Sequence, residues 1–227
     1  MQESVYSENG DGKQGRVKPL VAIIDYGMGN LRSVQKALEK AGGDARVTDS
    51  PRLLRQSQGV VLPGVGAFGE AVHRLRRQRL WGPLKETLES NKPFLGICLG
   101  YQLLFEDSQE SPGVRGLGWV QGSVVRFRFP KQSANKVPHM GWNTLRINLN
   151  NPSSCLRGVP SGTYFYFVHS FYPKPDDATW VASTTVYGRP FASTIAKGAL
   201  FASQFHPEKS GDQGMRILRN FVRQLKS

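Results

Sequence analysis

From Leu20 onward, short unbroken apolar runs take turns with stretches whose apolar residues recur every three or four positions. Leu20-Val21-Ala22-Ile23-Ile24 and Gly59-Val60-Val61-Leu62 are runs of the first kind, and with Ala45-Arg46-Val47 they predict buried strands. Between the first two strands, Leu31, Val34, Leu38 and Ala41 fall on one helical face. Asn30 stands in the N-cap position, and Gly42-Gly43 ends the pattern. Further helices are expected around Phe68, Val72 and Leu75 and around Leu84 and Leu88, before a fourth buried run at Phe94 to Ile97. Strands alternating with helices in this way predict an α/β fold with a doubly wound, mostly parallel central sheet.

Beyond Asp107 the period changes. Gly116 to Phe129, Trp142 to Leu149, Thr163 to Tyr172, Trp180 to Tyr187 and Phe191 to Phe205 are strand-like and joined by short loops rich in Gly, Pro or Asn. Tyr187-Gly188-Arg189-Pro190 and Lys197-Gly198 read as hairpin turns, so this half is expected to extend the same sheet with antiparallel strands. A last helix is predicted with Ser210 to Gln213 as a capping box and with Met215, Leu218, Phe221 and Leu225 on one face. The polar residues 1–19 contain no apolar segment and are expected to form a disordered extension, leaving residues 20–227 as one domain.

Composition narrows the partners. Hydrophobic residues make up 39% of the 227, enough for one sizeable core, and no apolar run reaches the length that crosses a membrane. Two cysteines make no disulfide framework, which points to the cytosol. The net charge of +13 raises nucleic acid as a partner, but its distribution argues against it. Arg74, Arg76, Arg77 and Arg79 share one predicted helix, few aromatics lie among the cations, and solvated helix faces account for them. Two glycine-bearing turns resemble cofactor sites and fail the comparison. Arg32 stands where a dinucleotide fingerprint after Gly27 and Gly29 has its third glycine, and Glu70 follows Gly64 and Gly69 where a phosphate loop has lysine. No cofactor and no metal are expected.

The chemistry gathers at Pro93 to Phe105, PFLGICLGYQLLF. Cys98 stands between Gly96 and Gly100, where a buried strand gives way to the first turns of an amphipathic helix carrying Leu99, Leu103 and Leu104. This is the nucleophile elbow, with cysteine in place of serine. The glycines allow the sharp turn, and a helix start beside the sulfur favours the thiolate. A buried cysteine is often only a small hydrophobe, the reading given to Cys155; at Cys98 the flanking pattern points to catalysis.

Of the four histidines, His73 lies among arginines on a helix surface. His139 and His169 sit in loops or at strand ends, where each lines a pocket or fills a hydrogen-bonding niche. His206 closes the last strand, with Glu208 two residues on. In a chain held extended by Pro207 both side chains point the same way, so Glu208 is expected to orient the ring and leave its other nitrogen to act on a thiol. After the strand at Gly59, the loop Pro63-Gly64-Val65-Gly66 offers backbone N–H groups. With that of Leu99 these either build an oxyanion hole beside Cys98 or belong to a plain connecting loop.

Six stretches together resemble the class I, triad-bearing glutamine amidotransferases, and among them the glutaminase subunits of imidazole glycerol phosphate synthase. They are DYGMGNLRSV from Asp25, LPGVGAF from Leu62, the elbow, VPHMGWN from Val137, YFVHSFY from Tyr166 and QFHPEKSG from Gln204. The resemblance covers the chain from Leu20 on. It implies the class I amidotransferase fold, with Cys98 as nucleophile, His206 as base and Glu208 orienting it, for hydrolysis of glutamine to glutamate and ammonia. It puts Val65 or Gly66 with Leu99 in the oxyanion hole, and Gln102, His169, Ser170 and Phe171 along the glutamine pocket. It also implies a heterodimer with a (β/α)8-barrel cyclase subunit. That partner takes the ammonia for imidazole glycerol phosphate formation in histidine biosynthesis, and Met140, Trp142 and Lys209 would face it. Two other readings stand beside this one: a triad glutaminase serving another synthase, such as that for pyridoxal phosphate, and a non-catalytic basic binding module.

Overall fold

The computed structural model describes residues 17–226, so the N-terminal extension falls outside them except for its last three residues. The chain runs through β1 (Leu20–Ile24), α1 (Leu31–Lys40), β2 (Asp44–Thr48), α2 (Pro51–Gln56), β3 (Gly59–Gly64), α3 (Phe68–Arg77), α4 (Trp81–Glu89) and β4 (Phe94–Cys98). All but α2 follow from the pattern; α2 has six residues and too few apolar positions to show a period. Asn30 caps α1, its side chain accepting from the Ser33 N–H at 3.3 Å.

After Cys98 the expectation of a longer amphipathic helix is corrected. A single turn, α5 (Leu99–Gln102), precedes β5 (Phe105–Ser108). Leu103 and Leu104 are fully buried in the turn between them, so their spacing recorded burial and not a continuing helix. The chain goes on through β6 (Val120–Arg126), β7 (His139–Thr144), β8 (Arg146–Ile147), β9 (Tyr164–His169), β10 (Phe171–Pro175), β11 (Val181–Tyr187), β12 (Arg189–Lys197), β13 (Leu200–Ser203) and α6 (Gly211–Gln224).

Eight strands form the main sheet in the order β2-β1-β3-β4-β13-β12-β11-β8. The first five are parallel, and β12, β11 and β8 extend the sheet with antiparallel pairing. The extension is smaller than the sequence implied, because β10-β6-β5 and β7-β9 make two separate sheets. Ser170 is the cause: it splits the run from Thr163 to Tyr172 into β9, which pairs with β7, and β10, which pairs with β6.

Side-chain alternation in the parallel strands feeds two cores. Val21, Ile23, Val61, Leu95 and Ile97 pack with Val34 and Leu38 of α1 and Leu218 and Phe221 of α6. Ala22, Ile24, Val60, Leu62 and Phe94 pack with Leu54 of α2, Val72 and Leu75 of α3, and Leu84 and Leu88 of α4. Each fully buried side chain of this size contributes roughly 1.5–3 kcal/mol of hydrophobic stabilisation, which fixes helices on both faces and leaves the strand ends to carry chemistry. Among the described residues no helix is long and apolar enough to cross a membrane. On α3, Arg74 pairs with Glu70 at 2.7 Å and Arg76 lies over the Trp81 ring.

Candidate active site

Three neighbouring parallel strands end at one edge of the sheet. Gly64 of β3 is in register with Cys98 of β4, and Ile97 with Ser203 of β13. The elbow, the glycine loop and the segment from Gln204 to Glu208 therefore leave the sheet together, outside the carboxyl ends of its strands, where open α/β sheets bind ligands.

Cys98 has φ 54° and ψ −107°, a left-handed turn that costs an L-residue about 1–3 kcal/mol. Close packing holds it there. A Cβ on Gly100 would strike the Leu62 carbonyl oxygen, and one on Gly96 would lie 3.0 Å from the Ala202 methyl. Nothing larger than glycine fits at position 100, and a larger residue at 96 would have to push its neighbours aside. The sulfur projects from a residue only 6% exposed, facing a cavity.

His206 and Glu208 meet, but not through extended chain. Pro207–Lys209 is a turn of 3-10 helix. His206, at φ −97° and ψ 98°, is the last extended residue, and the tight turn after it brings Glu208 back against the ring. Nδ1 and Oε1 lie 2.8 Å apart, with the two side chains 3% and 2% exposed. Nδ1 holds its proton for the carboxylate, leaving Nε2 for the thiol. Burial works against charging the ring, yet the interactions with Cys98 and then Glu208 outweigh it and raise His206 from 6.5 to about 10. Nε2 itself stands outside hydrogen-bonding geometry in this resting arrangement. The upward direction therefore rests on Glu208 and on the charge of Cys98.

The capping box expected at Ser210 does not form. Its hydroxyl donates to the His206 carbonyl at 2.6 Å and accepts from the Tyr166 N–H at 3.0 Å, so it ties down the turn that carries His206 and Glu208 instead of capping α6.

A cavity of about 370 Å3 opens over the sulfur, lined by Val65, Gly66, Cys98, Leu99, Gln102, Glu110, Pro138, Val168, His169, Ser170 and Phe171. All the residues named from sequence for the oxyanion hole and the pocket lie on this wall. Gly66 has φ 96°, and the Tyr26 hydroxyl, donating to the Pro63 carbonyl at 3.0 Å, anchors the loop from below.

His169 takes part through its shape and not through a free nitrogen. Its Nδ1–H donates to the Phe171 carbonyl at 2.8 Å, and its Nε2 accepts from His139 Nδ1–H at 2.9 Å. His139 Nε2 in turn accepts from the Asn143 amide at 3.2 Å. Burial lowers His139 to about 4 and His169 to about 3, so both rings are neutral.

Gln204, Glu110, Tyr26 and Asn143 join the site without having been singled out in the sequence. The Gln102 amide donates to the Phe171 carbonyl and to Gln204 Oε1, both at 3.1 Å, and Gln204 Nε2 lies 3.7 Å from the Cys98 sulfur. Gln204, Tyr26 and Asn143 sit inside the six family-like stretches, which was the available signal; Glu110 lies in a loop with no period to mark it. Cys155 is the small buried residue expected, its thiol pushed up to about 12 by burial.

Met140 and Trp142 on β7 are 63% and 56% exposed. Tyr166, across from Trp142 on β9, draws this patch to the site: Trp142 lies 6.1 Å from its ring, Lys209 Nζ 6.0 Å above it, and its carbonyl accepts from the His206 N–H at 3.0 Å.

Known proteins resemble the chain in sequence and in fold. The chain is 49% identical over 205 residues to imidazole glycerol phosphate synthase subunit HisH of Syntrophotalea carbinolica, a match that covers 89% of this chain and 98% of that one. It is 50% identical over 207 residues to the protein of the same name from Methanothermobacter thermautotrophicus, with the same two coverages. Among solved structures, PurLQS from Thermotoga maritima aligns with a TM-score of 0.71 at 18% identity, over 92% of this chain and 100% of that one. A glutamine amidotransferase from the same organism gives 0.60 at 19%, over 92% and 85%. These two show the shared fold. Residues 22–225 match the family described as glutamine amidotransferase class-I, and the chain belongs to that family.

Proposed function

We propose that this chain is the glutaminase subunit of an imidazole glycerol phosphate synthase, with Cys98, His206 and Glu208 as its catalytic triad. The observation that carries the chemistry is Cys98 held on a strained elbow over a cavity, at the same sheet edge as a buried His206–Glu208 pair. Relatives that share about half of its residues over almost their full length bear that subunit's name.

In the first step the Cys98 thiolate attacks the side-chain amide carbon of glutamine. The developing oxyanion is received by the N–H of Leu99 and that of Val65 or Gly66. The C–N bond breaks, and His206 gives its proton to the departing ammonia. Water then attacks the thioester, His206 takes up the water proton, and sulfur leaves with its electron pair as glutamate is released. The charged ring favoured at His206 suits the acid role, and Glu208 keeps it oriented. Gln102, Ser170 and the Phe171 segment hold the amino-acid end, where the Glu110 carboxylate gives the α-ammonium a counter-charge.

Ammonia freed into neutral water would mostly protonate and lose its nucleophilicity, so it is passed under cover to a barrel-shaped cyclase subunit. The patch around Met140, Trp142 and Lys209 meets that partner. The domain spans residues 20–227 and works in the cytosol, consistent with two unpaired cysteines.

The test is a glutaminase assay with and without the cyclase and its ligand, repeated on Cys98→Ala. Glutamate output is expected to rise with the partner. The variant should lose glutamine-dependent synthesis while its complex still uses added ammonia. Absence of stimulation would point to another synthase, and glutaminase activity surviving in Cys98→Ala would remove the triad.

A further inference from the structure

We infer that Gln204 is a further catalytic residue, the hydrogen-bond donor that stabilises the Cys98 sulfur as an anion; this rests on the assignment of Cys98 as nucleophile. The direction of each bond in the row decides it. A backbone carbonyl can only accept, so the Phe171 oxygen, 3.1 Å from Gln102 Nε2, fixes which way the Gln102 amide points. The second proton of that same nitrogen then faces Gln204 at 3.1 Å, and only Oε1 can receive it. Gln204 is thereby turned so that its own N–H group faces Sγ at 3.7 Å, within the range of a hydrogen bond to sulfur.

Backbone pairing keeps the residue from adjusting. The Gln204 N–H donates to the Ser193 carbonyl at 2.9 Å, and the whole residue is fully buried. On its other side the sulfur has the Val168 carbonyl at 4.0 Å, an acceptor that suits a thiol and repels a thiolate. Gln204 tips that balance toward the anion. In the reaction it acts twice: before attack, and again when the carbon–sulfur bond of the thioester breaks and the electron pair returns to sulfur. The chain of bonds extends outward too. The Phe171 carbonyl also receives His169, which receives His139, which receives Asn143 on β7. The carbonyl that orients the amide facing the sulfur is thus also the end of a polar row that begins on the strand bearing Met140 and Trp142.

The experiment is alkylation of Cys98 by iodoacetamide as a function of pH, in the full-length chain, read by peptide mass so that buried Cys155 does not interfere. The variant is Gln204→Met, which keeps the length of the side chain and removes the donor. Titratable groups around the sulfur are His206 with Glu208 behind it, Tyr26, His169 with His139 behind it, and Glu110 on the cavity wall. All are unchanged in the variant, so the difference reports Gln204.

Half-maximal alkylation is expected to move up by about one pH unit, with reaction well below the wild-type midpoint about tenfold slower, the effect of losing one charge-assisted hydrogen bond. A profile superimposable on that of the wild type, in a natively folded variant, overturns the proposal. If Gln204→Met fails to fold, the wild-type side-chain amide resonances of Gln204 decide. They should shift as Cys98 ionises and return on alkylation; resonances indifferent to both overturn it. Alkylation reads the sulfur alone. Failure of the triad assignment would instead appear as glutamine turnover surviving in Cys98→Ala.

Discussion

Cys98 pairs with no strong partner in its resting position, yet its neighbours decide what it can do. Gly96 and Gly100 bring no side chain to the site, yet a Cβ on Gly100 would strike the Leu62 carbonyl and one on Gly96 would crowd the Ala202 methyl. Glu208 acts one residue further back. Because His206 is raised from 6.5 to about 10, the folded chain holds that proton more tightly than the unfolded one. The resulting stability is complete below about pH 6.5 and is lost as pH climbs through about 10. Cys98 contributes to this shift as well, so replacing Glu208→Gln should remove the carboxylate's share of it. The gap in melting temperature between wild type and variant is expected to be widest below pH 6.5 and to close towards pH 10, while glutaminase rate falls on the order of 10⁴-fold. Thermal melts across that range check it, and a gap that does not change with pH would mean that Glu208 only fills space.

Among the elements, the proposed mechanism depends most on the loop after β3. Tyr26 fixes its first carbonyl, and Gly66 carries φ 96° with the Met28 methyl 2.6 Å from where a Cβ would stand. Gly66→Ala is expected to cost about 1–2 kcal/mol of stability from the left-handed backbone. It should cost about 10²–10³ in glutaminase rate if a loop N–H receives the oxyanion. Adding Met28→Ala makes room for the methyl and leaves φ unchanged, so rate should not return. Urea melts and turnover of the complexed double variant measure this, and recovery would assign the effect to crowding. Elements of this kind were legible where a period or a glycine marked them: β1 to β4, α1, α3, α4 and the hairpins around Gly188 and Gly198. α2 was hidden because six residues with few apolar positions show no helical period, and β5 because it follows Cys98 where the pattern predicts a longer helix; α5 itself was legible and proved to be a single turn. Which strands paired was hidden for another reason. Nothing local to Ser170 says that β9 and β10 part there. The elbow and the His206–Glu208 pair were legible because each is a contiguous motif. The Gln204–Cys98 contact joins residues 106 apart, and no spacing reveals it.

At the scale of the molecule, charge explains less than shape. The +13 is spread over solvated faces such as that of α3, whereas Met140 and Trp142 stand out as large exposed side chains on the short β7–β9 sheet. Trp142→Ala is expected to weaken binding of the cyclase by about 2 kcal/mol, roughly thirtyfold, as truncation of a central aromatic does. Its circular dichroism should match that of the wild type. Calorimetric titration with the partner measures it, and unchanged affinity would move the interface elsewhere.

The order of the main sheet has a consequence for how the protein comes into being. β13 lies between β4 and β12 but is the last strand to be synthesised, and Gln204, His206 and Glu208 follow it. Until Ser203 has left the ribosome the sheet is two unjoined halves. Cys98, already made, has neither donor nor base beside it. A nascent chain is therefore expected to gain competence to cut glutamine only after Glu208 has been made and β13 has joined the two halves.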